Sequence, residues 1–241
     1  MNNQLKEHLL LLKKISTLQD TSSIRKQTEL INKIRDYEEP GLLALLNLLI
    51  ERRIDSNIFP CYMDGIVFKY LYLSNYIEIK KQTQYYFNEG IVKLKSSADI
   101  DYMPLQHSLI HENFQHADRL THLYLCELAG LNKTTDRKWL YFTDILGLPS
   151  EDLRTIDMLW KIHSKGKFGF SIQRHIWLSN NQNWDKLWHK IGWKTNNTSL
   201  RYPNEFIWDT TAPIGHLPLF NQLRGVQVLY SLFEHPAWEN I

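Results

Sequence analysis

Only two cysteines, Cys61 and Cys126, occur in the 241 residues, far apart and without CxxC or Cys-His spacing. Neither a disulfide framework nor a zinc ribbon is suggested, and a reducing compartment fits. Glycine and proline are sparse, at 10 and 8 residues, while 43% of the chain is hydrophobic, a balance that excludes collagen, low complexity and disorder. An excess of one charge is also missing. Twenty-eight Lys and Arg face 26 Asp and Glu, so bulk charge advertises no nucleic-acid footprint, and an anionic partner must be met by a local patch. The longest apolar run, Leu42 to Ile50, is broken by Asn47 and falls short of the ~20 residues a membrane span needs. Residues 1–8 include Glu7 and no Arg/Ser-rich stretch, and Leu9 to Leu12 is too short for a signal-peptide core, so no targeting segment is expected and the protein reads as soluble. GxSxG, HExxH, CxxCH and a Gly-rich phosphate loop are all absent.

Tryptophan is also absent from the first 138 residues, and all eight lie between Trp139 and Trp238. Two parts with different roles are expected, 1–98 and 99–241, with the boundary in the polar, aperiodic stretch from Lys93 to Asp101. In the first part, apolar residues recur at helical spacing as Leu5, Leu9, Leu12, Ile15; Ile24, Leu30, Ile31, Ile34; and Leu42, Leu45, Leu46, Leu49. Asp20 to Ser23 offers N-caps, Pro40-Gly41 is read as the break between the second and third helices, and Asp55 to Pro60 ends the third. Connections this short predict an antiparallel helical bundle. Tyr70 to Ile91 is read as helix, although its Tyr and Ile content also suits a strand.

Further helices are expected from Leu105 to Phe114, through Ala117, Leu120, Thr121, Tyr124 and Leu128 up to Gly130, and from Ser150, as N-cap, to Gly166. Others follow near Ser171, through Trp184 to Ile191, and through Val226 to Phe233, with a long loop from Trp193 to Arg224 before the last. The expected fold is all-α.

His107 and His111, four apart on one helix face, are spaced as a metal pair, but no third or fourth ligand is evident beyond Glu112, His116 and Asp118 nearby, and no metal site is assigned. What stands out is an aromatic and basic concentration: Trp139, Tyr141, Phe142, Phe168, Phe170, Trp177, Trp188, Trp193, Phe206 and Trp208, with Arg137, Lys167, Arg174, Lys194, Arg201 and Arg224 interleaved. Most of these rings belong to a core, Trp160 and Trp188 among the packing residues, whereas a loop has less interior to fill. Flat apolar ligands with carboxylate tails suit such a surface, and so does single-stranded nucleic acid.

The string Asp152-Leu153-Arg154-Thr155-Ile156-Asp157-Met158-Leu159-Trp160 and the segment His163 to Trp177 resemble the core signature of the genomes-uncoupled-four family. Ala117-Asp118-Arg119-Leu120-Thr121, Ile191-Gly192-Trp193 and Ala212-Pro213-Ile214-Gly215-His216-Leu217-Pro218 match as well. The resemblance runs from about Pro104 to the end, and the first part is similar to the N-terminal bundle of cyanobacterial members. It implies a helical core shaped like a cupped hand that binds protoporphyrin IX and magnesium protoporphyrin IX, requires no cofactor, catalyses nothing, and stimulates magnesium chelatase by contact with the large porphyrin-binding subunit. Nucleic acid is not among the implied partners. A monomer is expected, with membrane association only through partners, in the plastid stroma or the cyanobacterial cytoplasm.

The implied ligand surface comprises Lys138 to Leu148 and Trp193 to Arg224. Its expected contacts are Phe142 and Arg224, then Arg201, Phe206, Trp208, His216 and Leu217, with Phe168, Phe170, Arg174, Trp177 and Trp193 drawn from the aromatic and basic concentration. Ile214 and Gln227 stand where some relatives carry basic residues, which predicts a weaker grip on the propionates. Two rival readings remain at this point: a haem-handling or tetrapyrrole-modifying enzyme using His107 and His111, and an adaptor that docks only protein.

Overall fold

The computed structural model describes residues 3–18, 20–131, 137–196, 198–219 and 226–239. The chain is all-α, as the periodicity predicts, and divides into two compact units, 1–92 and 93–241. The division falls a few residues before the expected 98/99 boundary because Lys95 to Ser97 are tied into the second unit by side chains of Asp152 and Thr155.

In the first unit, helices α1 (Asn3–Ile15), α2 (Thr21–Arg35), α3 (Glu38–Ile50), α4 (Tyr62–Tyr72) and α5 (Ile77–Tyr86) pack consecutively. Their apolar stripes supply the core, with Leu12, Ile31, Ile34, Leu45, Leu46 and Leu71 fully buried. Asp20 caps α2 as expected, its carboxylate accepting from Ser22 N at 3.1 Å and Ser23 N at 3.0 Å. Pro40-Gly41 does not separate two helices but lies in the first turn of α3. A first-turn nitrogen has no intrahelical acceptor, so proline is tolerated there. Gly41 serves close approach instead, since a Cβ would stand 1.8 Å from the Ile34 carbonyl oxygen.

Beyond Ile50 a single π-helical turn, Glu51–Asp55, carries Arg52 inward. There it meets Asp64 in two hydrogen bonds of 2.8 and 3.2 Å and donates to Ser16 Oγ at 3.2 Å. The expected helix from Tyr70 to Ile91 is interrupted after Tyr72 and ends at Tyr86. Ser74 Oγ accepts from Tyr76 N at the first break, and Ile91 and Val92 are buried in non-helical backbone.

The second unit contains α6 (Met103–Ile110), α7 (Phe114–Leu128), α8 (Phe142–Ile145), α9 (Ser150–His163), α10 (Phe170–Ser179), α11 (Trp184–Lys190) and α12 (Val226–Phe233). Two-residue strands, β1 (Lys194–Thr195) and β2 (Thr198–Ser199), form an antiparallel pair inside what sequence presents as loop. The stretch expected as one helix from Leu105 to Phe114 ends at Ile110, and Asn113 caps α7 through its side chain. Pro149 occupies the N-cap position of α9, with Ser150 as its first residue.

Helix α9 is the hub of this unit, and the polar residues of its signature tie it to several segments. Asp152 accepts from Ser97 N and from Tyr102 Oη at 2.9 and 2.8 Å, Thr155 donates to Lys95 O, and Arg154 donates to Ala237 O. Asp157 accepts from Ser171 N and Oγ, anchoring the start of α10. Gly169 holds the turn between them at φ +137, where a Cβ would strike Asp157 Oδ1 at 2.7 Å. Trp160 stacks on Phe114, with Phe168 edge-on to both, and its indole donates to Thr121 Oγ1 at 2.9 Å.

Candidate functional site

Helix α7 positions the surface on which the sequence argument converges, because it reaches both loops expected to carry it. At one end the buried Asp118 accepts from Leu219 N at 2.7 Å, and one turn along, His122 Nε2 donates to Lys138 O at 2.8 Å. Burial pushes the Asp118 carboxyl up to about 7, against the pull of its Leu219 hydrogen bond and of Arg119. Arg119 and Leu123, four apart, are exposed on the same helix.

The first loop is held from within. Arg137 pairs with Asp144 at 2.7 and 3.1 Å, donates to Trp139 O at 3.0 Å, and sets its guanidinium 4.5 Å from the Tyr141 ring centroid. Asp144 also accepts from Tyr141 N, and the guanidinium holds its carboxyl below the usual range. Tyr141, Phe142 and Leu146 are thereby left on the surface, at 49%, 46% and 67% exposure. Helix α8, which carries Phe142, packs on α12, whose Val226 and Tyr230 are also exposed.

The second loop is stitched to α10 and the turn before it. Gln173 Nε2 donates to Gly215 O and Pro218 O at 2.9 and 2.8 Å, Gly215 N donates to Lys167 O, and Gly169 N to Leu217 O. Lys167 Nζ donates to Thr210 O and Ala212 O. Its ammonium is thus spent on carbonyls, and burial lowers its pKa. Tyr202, Ile207 and Ile214 remain exposed along this loop.

The expected contact residues separate into two groups on this scaffold. Phe142 and Arg201 are exposed, and Trp208 is half-buried with its indole donating to Pro203 O at 3.0 Å. Phe168, Phe170, Trp177, Trp193, Phe206 and Leu217 are instead buried, so they act as packing and present no face to a ligand in this conformation. Their spacing on helices and beside glycine turns aims them inward, which a list of aromatic residues does not register. Arg174 is half-buried and donates to Phe233 O, capping α12.

His216 is fully buried, its Nδ1 donating to Ile191 O at 2.7 Å and its Nε2 accepting from Ile207 N at 3.2 Å. Both ring nitrogens are committed and the imidazole is neutral, its pKa lowered by burial, so it offers no lone pair to a metalloporphyrin. Arg224 and its immediate neighbours lie outside the described residues.

His107 and His111 do come together, with ring centroids 4.1 Å apart. Among the described residues no group of three His, Cys, Asp or Glu side chains is placed to hold a metal ion, and no helix is long and apolar enough to cross a membrane. Sequence reasoning passed over Leu123, Leu146, Ile207 and Tyr230. The available signal was an apolar residue falling off the buried face, as Leu123 does between Leu120 and Tyr124.

The model of the GUN4-like family matches residues 95–236. The uncharacterised protein ycf53 of Porphyra purpurea is 46% identical over 240 residues, spanning 100% of both chains. The chloroplastic tetrapyrrole-binding protein of Arabidopsis thaliana is 36% identical over 143 residues, 56% of this chain and 54% of that one. The solved structure of GUN4 from Chlamydomonas reinhardtii superposes with a TM-score of 0.56 at 40% identity, covering 61% of this chain and 97% of its own.

Proposed function

Because this chain belongs to the GUN4-like family, we propose that it binds tetrapyrroles, specifically protoporphyrin IX and magnesium protoporphyrin IX, without transforming them. The observation that carries the proposal is the exposed apolar surface of Tyr141, Phe142 and Leu146, held in place by the Arg137–Asp144 pair. A macrocycle is wide, apolar on both faces and anionic at one edge. Exposed rings that are already immobilised meet its faces with little further loss of conformational freedom, and Arg side chains pair with its carboxylates. Contact falls to Phe142, Arg201, Trp208 and Arg224, joined by Tyr141 and Leu146. Among the described residues, no group of three His, Cys, Asp or Glu side chains is placed to hold a metal ion, and the reading is of a carrier and regulator rather than an enzyme.

The loaded protein stimulates magnesium chelatase through its large porphyrin-binding subunit, acting as a monomer that meets membranes only through partners. It works in the plastid stroma or the cyanobacterial cytoplasm. Titration with both porphyrins, following tryptophan quenching and the Soret shift with haem as competitor, tests the ligand class. Saturable one-to-one binding, weakened by Arg224→Glu with the helical circular dichroism intact, is the expected result, and chelatase stimulation is then measured with the loaded chain. Absence of saturable binding overturns the proposal in favour of a protein-only adaptor.

A further inference from the structure

An unbroken series of ring contacts crosses the second unit from its surface to its interior and out again. The half-exposed Tyr230 lies 5.8 Å from Trp177, Trp177 lies 5.0 Å from Trp184, Trp184 lies 5.4 Å from Trp188, and Trp188 lies 5.3 Å from Trp193, all between centroids. The last two pairs are stacked, with interplanar angles of 29° and 9°. Phe233 flanks both Trp177 and Trp184. Ring packing alone accounts for the contacts, but two further features are not packing requirements.

Trp177 is buried, and its indole Nε1 makes no hydrogen bond, an arrangement that native interiors seldom leave standing. Trp184 and Trp188, further along, are only half-buried. An oxidised indole is strongly acidic at its N–H. Where an acceptor or water stands at that nitrogen, the radical cation loses its proton and the vacancy is trapped as a neutral radical. Where none does, the cation persists and the next ring can fill it. The orphaned N–H of Trp177 therefore keeps an electron vacancy mobile, and the half-buried indoles give it a place to settle beside solvent.

We propose that this ladder is an electron relay that quenches a photoexcited tetrapyrrole held at the Phe142 surface, a reading that rests on the ligand class proposed above. Helix α8 with Phe142 packs on α12 with Tyr230, which puts the exposed end of the ladder beside that surface. The excited ligand accepts one electron from Trp177 by way of the Tyr230 ring, giving a ligand radical anion and a Trp177 radical cation. Trp184 refills Trp177 and Trp188 refills Trp184. The Trp188 radical cation then gives its Nε1 proton to water. Return of the electron from the ligand to the neutral Trp188 radical, with uptake of one proton from water, restores both, so light is converted to heat and no oxidant or reductant is consumed.

Flash photolysis of the chain loaded with protoporphyrin, with signals normalised to bound porphyrin, tests the relay. A long-lived neutral indolyl radical is expected, its yield falling several-fold in Trp184→Phe and in Trp188→Phe but not in Trp238→Phe, which lies outside both the ladder and the proposed ligand contacts, while circular dichroism and porphyrin affinity in the two ladder variants stay those of the parent. No indolyl radical at full porphyrin occupancy, or a yield unchanged in both ladder variants, overturns the relay and leaves the ligand assignment standing. If protoporphyrin does not bind, the ligand assignment fails, and the ladder is read by a ruthenium polypyridyl photo-oxidant attached at Tyr230→Cys in a Cys61→Ser background. There the same several-fold loss in Trp184→Phe supports electron transfer along the rings, and its absence overturns it.

Discussion

The Arg137 guanidinium grips the Asp144 carboxylate from both of its terminal nitrogens, at 2.7 and 3.1 Å, and the same carboxylate accepts from the backbone N of Tyr141. One acidic side chain thus fixes the loop that presents Tyr141 and Phe142. Asp144→Ala removes both holds, and porphyrin affinity is expected to fall several-fold while Phe168 and Trp160 keep the core folded. Titration by tryptophan quenching measures the affinity, with circular dichroism reporting the fold. Because the Asp144 pKa is depressed below 3.8, its contribution is present above that value and is lost as pH falls through the lower folded pKa.

Asp118 works in the opposite sense. Its folded pKa, about 7, lies above the ordinary 3.8, so the folded state holds a proton that the unfolded chain releases first. This favours folding at low pH, and the benefit is lost as pH rises from 3.8 through about 7. Asp118→Asn keeps an oxygen to accept from Leu219 N and carries no charge. It is expected to raise stability at pH 8 by about a few kcal/mol and to flatten the stability curve between acid and neutral pH, as followed by melting temperature against pH. A decrease in stability at pH 8 would contradict this account.

Gly41 stands where α3 presses on the carbonyl of Ile34, and an added methyl group has no room, with Ile34 O 1.8 Å and Tyr37 Cβ 3.2 Å from the Cβ position. Gly41→Ala is expected to destabilise the first unit by about 1–3 kcal/mol, the usual penalty of overpacking. Urea unfolding of the full chain, with circular dichroism as the probe, measures it.

His216 is spent on Ile191 O and Ile207 N, so its loss should be a structural event and not a spectroscopic one. His216→Leu leaves a buried carbonyl and a backbone N–H without partners and should cost about 1–3 kcal/mol for each group. The Soret position of whatever magnesium protoporphyrin remains bound should stay unchanged, whereas a shift would mark an axial ligand. Burial also lowers the His216 pKa, and it takes that of His163 to about 3, so both imidazoles fold in the neutral form. Their contribution is present above about 6.5, the ordinary histidine value, and is lost as pH falls below it and the unfolded chain takes up protons.

Most of the helices were legible because a stripe of Leu and Ile at i, i+3, i+4 and i+7 answers to one local cause, burial of one face. Where the reading slipped, a distant group had intervened. Pro40-Gly41 carries the chemistry of a break, yet it opens α3, because its glycine is needed against Ile34. The π turn after Ile50 exists to bring Arg52 to Asp64, twelve residues away, and no local period announces that pair.

The signature residues show the same division. Asp118, Thr121, Asp152, Thr155 and Asp157 are recognisable in sequence, and in the structure they tie the second unit together, from Asp118 on Leu219 to Asp152 on Ser97 and Tyr102. Phe168, Phe170, Trp177 and Phe142 are alike in sequence as aromatic residues of one aromatic and basic concentration. The first three pack inward while Phe142 stays on the surface.

Sequence by itself determined the helical class and the family, because these rest on periodicity and ordered motifs along the chain. Only the tertiary structure decided which rings remain on the surface, which histidine nitrogens are already bonded, and that Trp177, Trp184 and Trp188 touch in series. Exposure, hydrogen-bond satisfaction and ring contact are properties of neighbours in space, and a sequence orders neighbours only along the chain.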